Sequence, residues 1–502
     1  MSARGIPKIV IAGGGPAALE ALLALRDWLE PNRARICLIA PNRTLGHRPL
    51  SSVVEFATHP EHELSLASIA AATDAKLVSD SVALVEPGRL LTRDGSWITY
   101  DQLLIAIGAF ERRLPRGWIG WPAQGDPQAL LGLIGDIADA TSAIRISVYI
   151  PDSSGWPLAG YELALILAHA ARAESAADVS VELLAEGSRP LAVLGERAEA
   201  VVEAELRAAG LELQAGTRVE EPPPAAPRGG EDWMSALTAR VLGRTAAQRP
   251  APTGVPVLVR GERARFDRFV ALPANRGPAL PGLGTDRHGY VAIDEHCRVL
   301  GVKSVWAAGD CTPLALKHST LAVAQAECAA AGIAAAAGAE VEPHASEPVL
   351  TGILVSGAAA RWSTENASRP AGLEPAAHCL WWPSGKVLGR RLARFFARRD
   401  RAARPLLLGH PHGTAIQVTF PPPATVDARP PSPAREDNAI EVERAHDAFQ
   451  RRVFALQRVE RAAERQLEEM EEELRRAHER SAEVLARLNA AGYLVKDDLP
   501  MG

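Results

Sequence analysis

Cysteine is scarce in this chain of 502 residues, with Cys37, Cys297, Cys311, Cys328 and Cys379 standing alone and no CxxC pair among them. That spacing excludes a zinc ribbon and a disulfide-stapled secreted scaffold, and it implies a reducing cytoplasm. Positive charge is not in surplus either. The formal net charge of −5 argues against general nucleic-acid binding. No apolar run reaches the roughly 18 residues that a transmembrane helix needs. The first apolar run already starts at Ile9, so no removable signal peptide is expected ahead of it. What remains is a soluble chain long enough for two or three domains.

What is present begins with Ile9-Val10-Ile11-Ala12-Gly13-Gly14-Gly15-Pro16-Ala17-Ala18-Leu19-Glu20. A β-branched run drops into a glycine turn and then into a helical pattern over 18–29. Gly13, Gly15 and Ala18 occupy the three small-residue positions of a GxGxxG/A fingerprint: one for the tight turn, one for approach to a pyrophosphate, one for close helix–strand packing. A second strand over 35–40 follows, and this strand–turn–helix–strand context makes the fingerprint specific for a dinucleotide. Further along, the apolar run over 100–107 ends at Gly108. Val305-Trp306-Ala307-Ala308-Gly309-Asp310 leads into an alanine-rich helix over 321–337. A carboxylate such as Asp310 accepts from a ribityl hydroxyl, while the helix start faces flavin or pyrophosphate.

Between these motifs, strand patterns over 144–150 and 179–184 alternate with helical ones over 158–171 and 196–209. That order predicts a second parallel-sheet domain inserted into the first, with the chain returning around Phe266. A Pro/Gly-rich stretch over 220–232 reads as a loop, and the proline-dense 421–437 as a linker and true boundary. Beyond it, 438–491 has neither proline nor glycine, and Leu467, Met470, Leu474, Ala477, Ser481, Val484 and Leu488 keep a 3/4 spacing. This is a coiled-coil-like seam, open to self-association, to a partner protein or to packing on its own body.

Together these segments resemble the FAD-dependent pyridine nucleotide-disulfide oxidoreductase superfamily, nearest to the branch of type II NADH dehydrogenases and sulfide:quinone oxidoreductases. The first FAD motif matches Gly13 to Glu20, the ATG-like motif Ile105 to Ala109, and the terminal motif Ala308-Gly309-Asp310. Leu316-Lys317-His318-Ser319-Thr320-Leu321-Ala322 looks like a flavin-adjacent K-Q-G-G-L-A segment, and Trp381 to Val387 looks like a W-W-P-x-x-K signature. The resemblance implies an α/β fold of two Rossmann-like dinucleotide-binding domains, glutathione-reductase-like, with an α-helical coiled-coil-like tail. FAD would fill 1–120 and 266–345. A NAD(P)-binding-like domain would span 121–265, an interface or membrane-surface region 346–420, the linker 421–437, and the tail 438–492.

The resemblance further implies that FAD is held by Gly13, Gly15, Pro16, Ala17, Ala18, Pro41, Asn42, Arg48, Val82, Ala106, Gly108, Gly309, Asp310 and Lys317. Lys317 would lie near the N1/O2 edge of the flavin, where a cation stabilises the anionic reduced form. Glu162 would relay a proton. A surface lysine and a solvated helix glutamate are the structural alternatives. No metal site is expected.

The departures are as telling. Where many members carry an acid for the adenosine ribose, this chain has Ala40-Pro41-Asn42-Arg43. After the strand over 144–150, a second GxGxxG is replaced by Pro151-Asp152-Ser153-Ser154-Gly155-Trp156-Pro157. One glycine, a bulky Trp156 and a negative Asp152 oppose a pyrophosphate there, so NAD(P)H is expected to be a poor donor. Residues 41–70 lack the CxxxxC of disulfide reductases, and Cys37 and Cys328 read as core fillers, so the paired-cysteine route to sulfide oxidation is not expected. Over 387–404, Arg390, Arg391, Arg394 and Arg398 accompany an apolar stripe of Leu388, Leu392, Phe395 and Phe396. That pattern fits a membrane surface, or an interface helix within a dimer or against another protein.

The expected function is a cytoplasmic FAD-dependent oxidoreductase, with peripheral contact at the inner face of the membrane as a second localisation. Electrons would pass from a small-molecule donor to a quinone or protein acceptor. The alternatives are a degenerate flavoprotein scaffold with a partner-binding tail, and a NAD(P)H dehydrogenase. If the tail forms a homodimer, truncation after Asp437 should leave flavin content unchanged and lower the mass measured by light scattering. An unchanged mass would rule self-association out.

Overall fold

The computed structural model describes residues 6–47, 62–121, 127–174, 178–222, 254–355, 380–382, 389–399 and 413–420. The chain divides into two units, Met1–Ser432 and Pro433–Gly502, with the division inside the proline-rich linker. The linker and the helical tail lie outside the described residues, as does Arg48.

β1 (Lys8–Ala12) is almost wholly buried, as a central parallel strand must be. α1 (Pro16–Trp28) follows with Pro16 in its first turn, where a missing N–H costs nothing. Next come β2 (Arg35–Ile39), α2 (Leu66–Ala72), β3 (Lys76–Val78) and β4 (Gln102–Ile105). The chain leaves this sheet through β5 (Phe110–Glu111) and β6 (Ile119–Gly120). It then forms α3 (Pro127–Ala138), β7 (Ile144–Ile150), α4 (Leu158–Glu174), β8 (Val179–Ala185), α5 (Glu196–Ala208), β9 (Leu213–Gln214) and β10 (Arg268–Ala271). It returns through β11 (Asn275–Arg276), antiparallel to β5, to β12 (Val305–Ala307) and α6 (Ser319–Ala336). β13 (Val349–Val355), β14 (Trp381–Trp382), α7 (Arg390–Arg399) and β15 (Gly413–Thr419) close the described chain.

The first sheet runs β12-β4-β1-β2-β3 and the second β6-β10-β7-β8-β9, with every neighbour parallel. In each, chain order reverses beside one strand: at β1 next to β4, and at β7 next to β10. Crevices beyond the carboxyl ends of such strands are where ligands of open α/β sheets bind. Both crossings fall a few residues from the expected places. Ile119–Gly120 pairs with Arg268–Ala271, which pairs in turn with β7, so the return comes after Ala271 rather than at Phe266. A buried strand looks the same in sequence whichever sheet receives it.

Two helices, α6 and α7, spend apolar surface on the core. Among the described residues, α6 alone is long and apolar enough to cross a membrane, with 18 residues and a mean hydropathy of 1.2, but 67 % of it is buried. The basic helix α7 buries Leu392 completely and packs Phe395 on the core of the first sheet. Its start is fixed by Glu20, fully buried on α1, whose carboxylate accepts from the N–H groups of Arg391 (3.0 Å) and Leu392 (2.8 Å). Arg391 adds ion pairs to Asp27 and Glu327, each at 2.6 Å. Burial pushes the Glu20 carboxyl above the usual carboxylate range, opposed by the two backbone donors. The described part of the apolar stripe therefore covers its own body instead of a lipid surface. Lys386, Leu388, Arg401 and Arg404 lie outside the described residues. Glu20→Ala should destabilise the protein by about 1–3 kcal/mol, since it orphans two buried donors, and thermal unfolding will show it. An unchanged midpoint would contradict this docking of α7.

Candidate functional site

Three turns converge at the carboxyl ends of β1, β4 and β12. Gly13 donates its N–H to Ile39 O at 2.8 Å and has φ +134°; a Cβ there would lie 2.1 Å from Ala106 O. Ala106 in turn donates to Ala12 O at 2.7 Å, and Ala308 to Ile105 O at 2.9 Å. Gly309 has φ +82°, and a Cβ there would lie 3.2 Å from Ala17 Cβ and 3.3 Å from Ala322 Cβ. Its N–H donates to Gln325 Oε1 at 2.8 Å, and the Thr312 hydroxyl meets the same oxygen at 2.9 Å. These contacts fix the turn that presents Asp310, which is half-buried. Gly14, which the fingerprint leaves free, is confined by Leu66 and Ala40, within 2.8 and 3.0 Å of where its Cβ would stand.

Gly15 is different. Among the described residues nothing lies within 4 Å of where its Cβ would point, and the same holds for Gly108. No side chain caps α1 and no acid stands in its first turn, so the positive end of the helix faces this space. The structure thus brings Gly13, Gly15, Pro16, Ala17, Ala18, Ala106, Gly108, Gly309 and Asp310 to one crevice. Pro41 and Asn42 sit exposed just past β2. Val82 belongs to the core of the first sheet.

Lys317 lies in the segment that leads into α6. Its Nζ donates to Thr312 O at 2.8 Å and sits 3.8 Å from the centre of the Tyr290 ring. Burial pulls its ammonium down to about 8, while Asp310, Cys311 and Asp286 pull the other way. This is not a surface lysine. His318 is buried and accepts from Thr320 N–H through Nδ1 at 3.2 Å, capping α6. Glu162 is not solvated either: it is 2 % exposed on α4, and its Oε1 accepts from Leu380 N–H at 2.9 Å.

The cysteines carry no exposed nucleophile here. Cys311 is fully buried, its thiol pushed up to about 12 by burial. Cys297 is hydrogen-bonded to Cys328, and both burial and that neighbour hold it as a thiol. Sequence spacing gave no sign of this pair, because it joins a loop to a helix. Cys328 is nine residues into α6, about 13 Å along the axis from its start. Cys379 lies outside the described residues.

The turn after β7 packs against the segment that precedes α6. A Cβ on Gly155 would lie 2.3 Å from Asn275 Nδ2 and 2.8 Å from Lys317 Cβ. Lys317 N–H donates to Gly155 O at 2.8 Å, Asn275 N–H to Ser153 O at 2.8 Å, and the Trp156 and His318 rings stand 4.7 Å apart. Asp152 donates its N–H to Glu186 Oε2 at 3.1 Å, and burial with the Glu186 charge raises the Asp152 carboxyl above its usual range. Two acids therefore flank the carboxyl ends of β7 and β8. Gly160 keeps the close helix–strand packing of the fingerprint, 2.6 Å from Ile150 where its Cβ would stand. Sequence reading passed over that glycine.

Residues 7–148 match the family model described as pyridine nucleotide-disulphide oxidoreductase. No curated protein matches the chain. Among solved structures, the sulfide:quinone oxidoreductase of the hyperthermophilic bacterium Aquifex aeolicus is similar, with a TM-score of 0.52 and 14 % identity over 65 % of this chain and 76 % of that one. A ferredoxin reductase from Rhodopseudomonas palustris has a TM-score of 0.50 and 18 % identity over 69 % and 79 % of the two chains. At these identities the likeness is one of fold.

Proposed function

We propose that this chain, a member of the pyridine nucleotide-disulphide oxidoreductase superfamily by the pattern of its residues 7–148, is an FAD-dependent oxidoreductase whose electron donor is a small molecule other than NAD(P)H. Its acceptor is a quinone or a protein. One observation carries this reading. At the start of α1 the Gly15 position is bare, no described residue lying within 4 Å of where its Cβ would point, whereas the matching position ahead of Gly160 in the second turn is Pro157.

The residues present fit FAD in the first crevice. The uncapped start of α1 and the bare Gly15 cradle suit a pyrophosphate, which a side chain at 15 would displace. Asp310, presented by the Gly309 turn, accepts from a ribityl hydroxyl. FAD supplies two-electron redox chemistry when bound. Lys317 holds a positive charge beside it, anchored by Thr312 O and the Tyr290 ring. Because burial lowers its pKa to about 8, the charge is present at pH 7 and is lost as pH rises through 8. Glu162 lies on the opposite domain's α4, where its buried carboxylate serves as a proton relay as well as a tie to β14.

The test is a donor and acceptor screen on purified holoprotein. Bleaching by a non-nicotinamide donor, with recovery on adding a quinone or an electron-carrier protein, is the expected result. A colourless protein would instead point to the scaffold reading.

A further inference from the structure

We infer that Gly155 is a positioning residue for Lys317, and that the loop after β7 has exchanged a nucleotide for the task of setting Lys317 and the start of α6 against the first crevice. The inference rests on the FAD reading above. Glycine is not needed at 155 for its backbone: Gly155 is not among the residues with positive φ. It is needed for proximity. A methyl group would meet Lys317 Cβ at 2.8 Å, Lys317 Cγ at 2.9 Å and Asn275 Nδ2 at 2.3 Å.

Two consecutive residues of the loop meet two consecutive residues of the other segment. Gly155 O accepts from Lys317 N–H, and the Trp156 ring lies against the His318 ring. The bridge between Ser154 and Ala274 and the bond from Asn275 N–H to Ser153 O close the third side. Three stretches of chain thus form one packed layer, and Lys317 has its Nζ fixed at the far end by Thr312 O and Tyr290. Added bulk at 155 presses on the stem of Lys317 and withdraws its ammonium from that anchorage.

The experiment uses the full chain with bound FAD and reads the two-electron reduction potential against redox dyes. Lys317→Met should lower the potential by removing the charge. Gly155→Ala should lower it in the same direction by at least a tenfold loss in relative hold on the reduced form, about 30 mV for a two-electron couple. The double variant should fall no further than Lys317→Met alone, because both act through one group. Trp156→Ala adds no bulk and should give a smaller shift that is likewise masked by Lys317→Met; it keeps the test intact if Gly155→Ala does not fold. A Gly155→Ala protein that binds FAD at the wild-type potential, or shifts that simply add, would overturn the inference alone. A wild-type chain that takes up no FAD would overturn the FAD reading and this inference with it.

Discussion

Gly15→Val is expected to purify folded and without flavin absorbance. The backbone at 15 is extended, with φ −85° and ψ −179°, a conformation valine adopts without strain. No atom of the described residues lies within 4 Å of the new side chain's first carbon, so none of them resists it. What it displaces is the pyrophosphate, together with the helix-end contacts that FAD needs. A loss of at least a hundredfold in affinity, about 3 kcal/mol, follows. Thermal unfolding of the apoprotein distinguishes this from misfolding. Gly13→Ala is the contrast: it must strain φ and strike Ala106 O, so it damages the fold itself. A yellow Gly15→Val protein would remove the site assignment.

NADH and NADPH at micromolar concentration are expected to leave the flavin oxidised in stopped-flow mixing, at least a hundredfold slower than a productive donor. A dinucleotide entering the second crevice finds no glycine cradle, since Pro157 stands in that turn where Gly15 stands in the first. It also meets Asp152 and Glu186 where its phosphates would lie. Two like charges 4 Å apart repel by about 1 kcal/mol in water, and by about 4 kcal/mol at an effective dielectric constant of 20. Rapid bleaching would mean that residues 151–157 swing off Lys317 to admit a nucleotide.

Much of this was legible in the sequence. β1, the turn at Gly13 and α1 follow from a buried run, glycines and a helical period, all local signals. The missing second glycine motif was visible for the same reason. What replaced it was not. That Gly155 packs on Lys317, 162 residues later in the chain, depends on how two sheets are set against one another, and no period in the sequence records it. The apolar face of α7 was visible too, but an amphipathic stripe does not say whether lipid or the protein's own core will cover it. Glu20, an acid at 0 % exposure among the apolar residues of α1, marks the place where α7 docks.

The most direct measurement is the cofactor content of the full chain. Purified protein is denatured and the released nucleotide is separated by chromatography and quantified against protein. One FAD per chain, with no nicotinamide dinucleotide retained after equilibration with NADH, is the result this account predicts. No FAD, or a NADH bound alongside it, would contradict the assignment of one dinucleotide to the first crevice and none to the second.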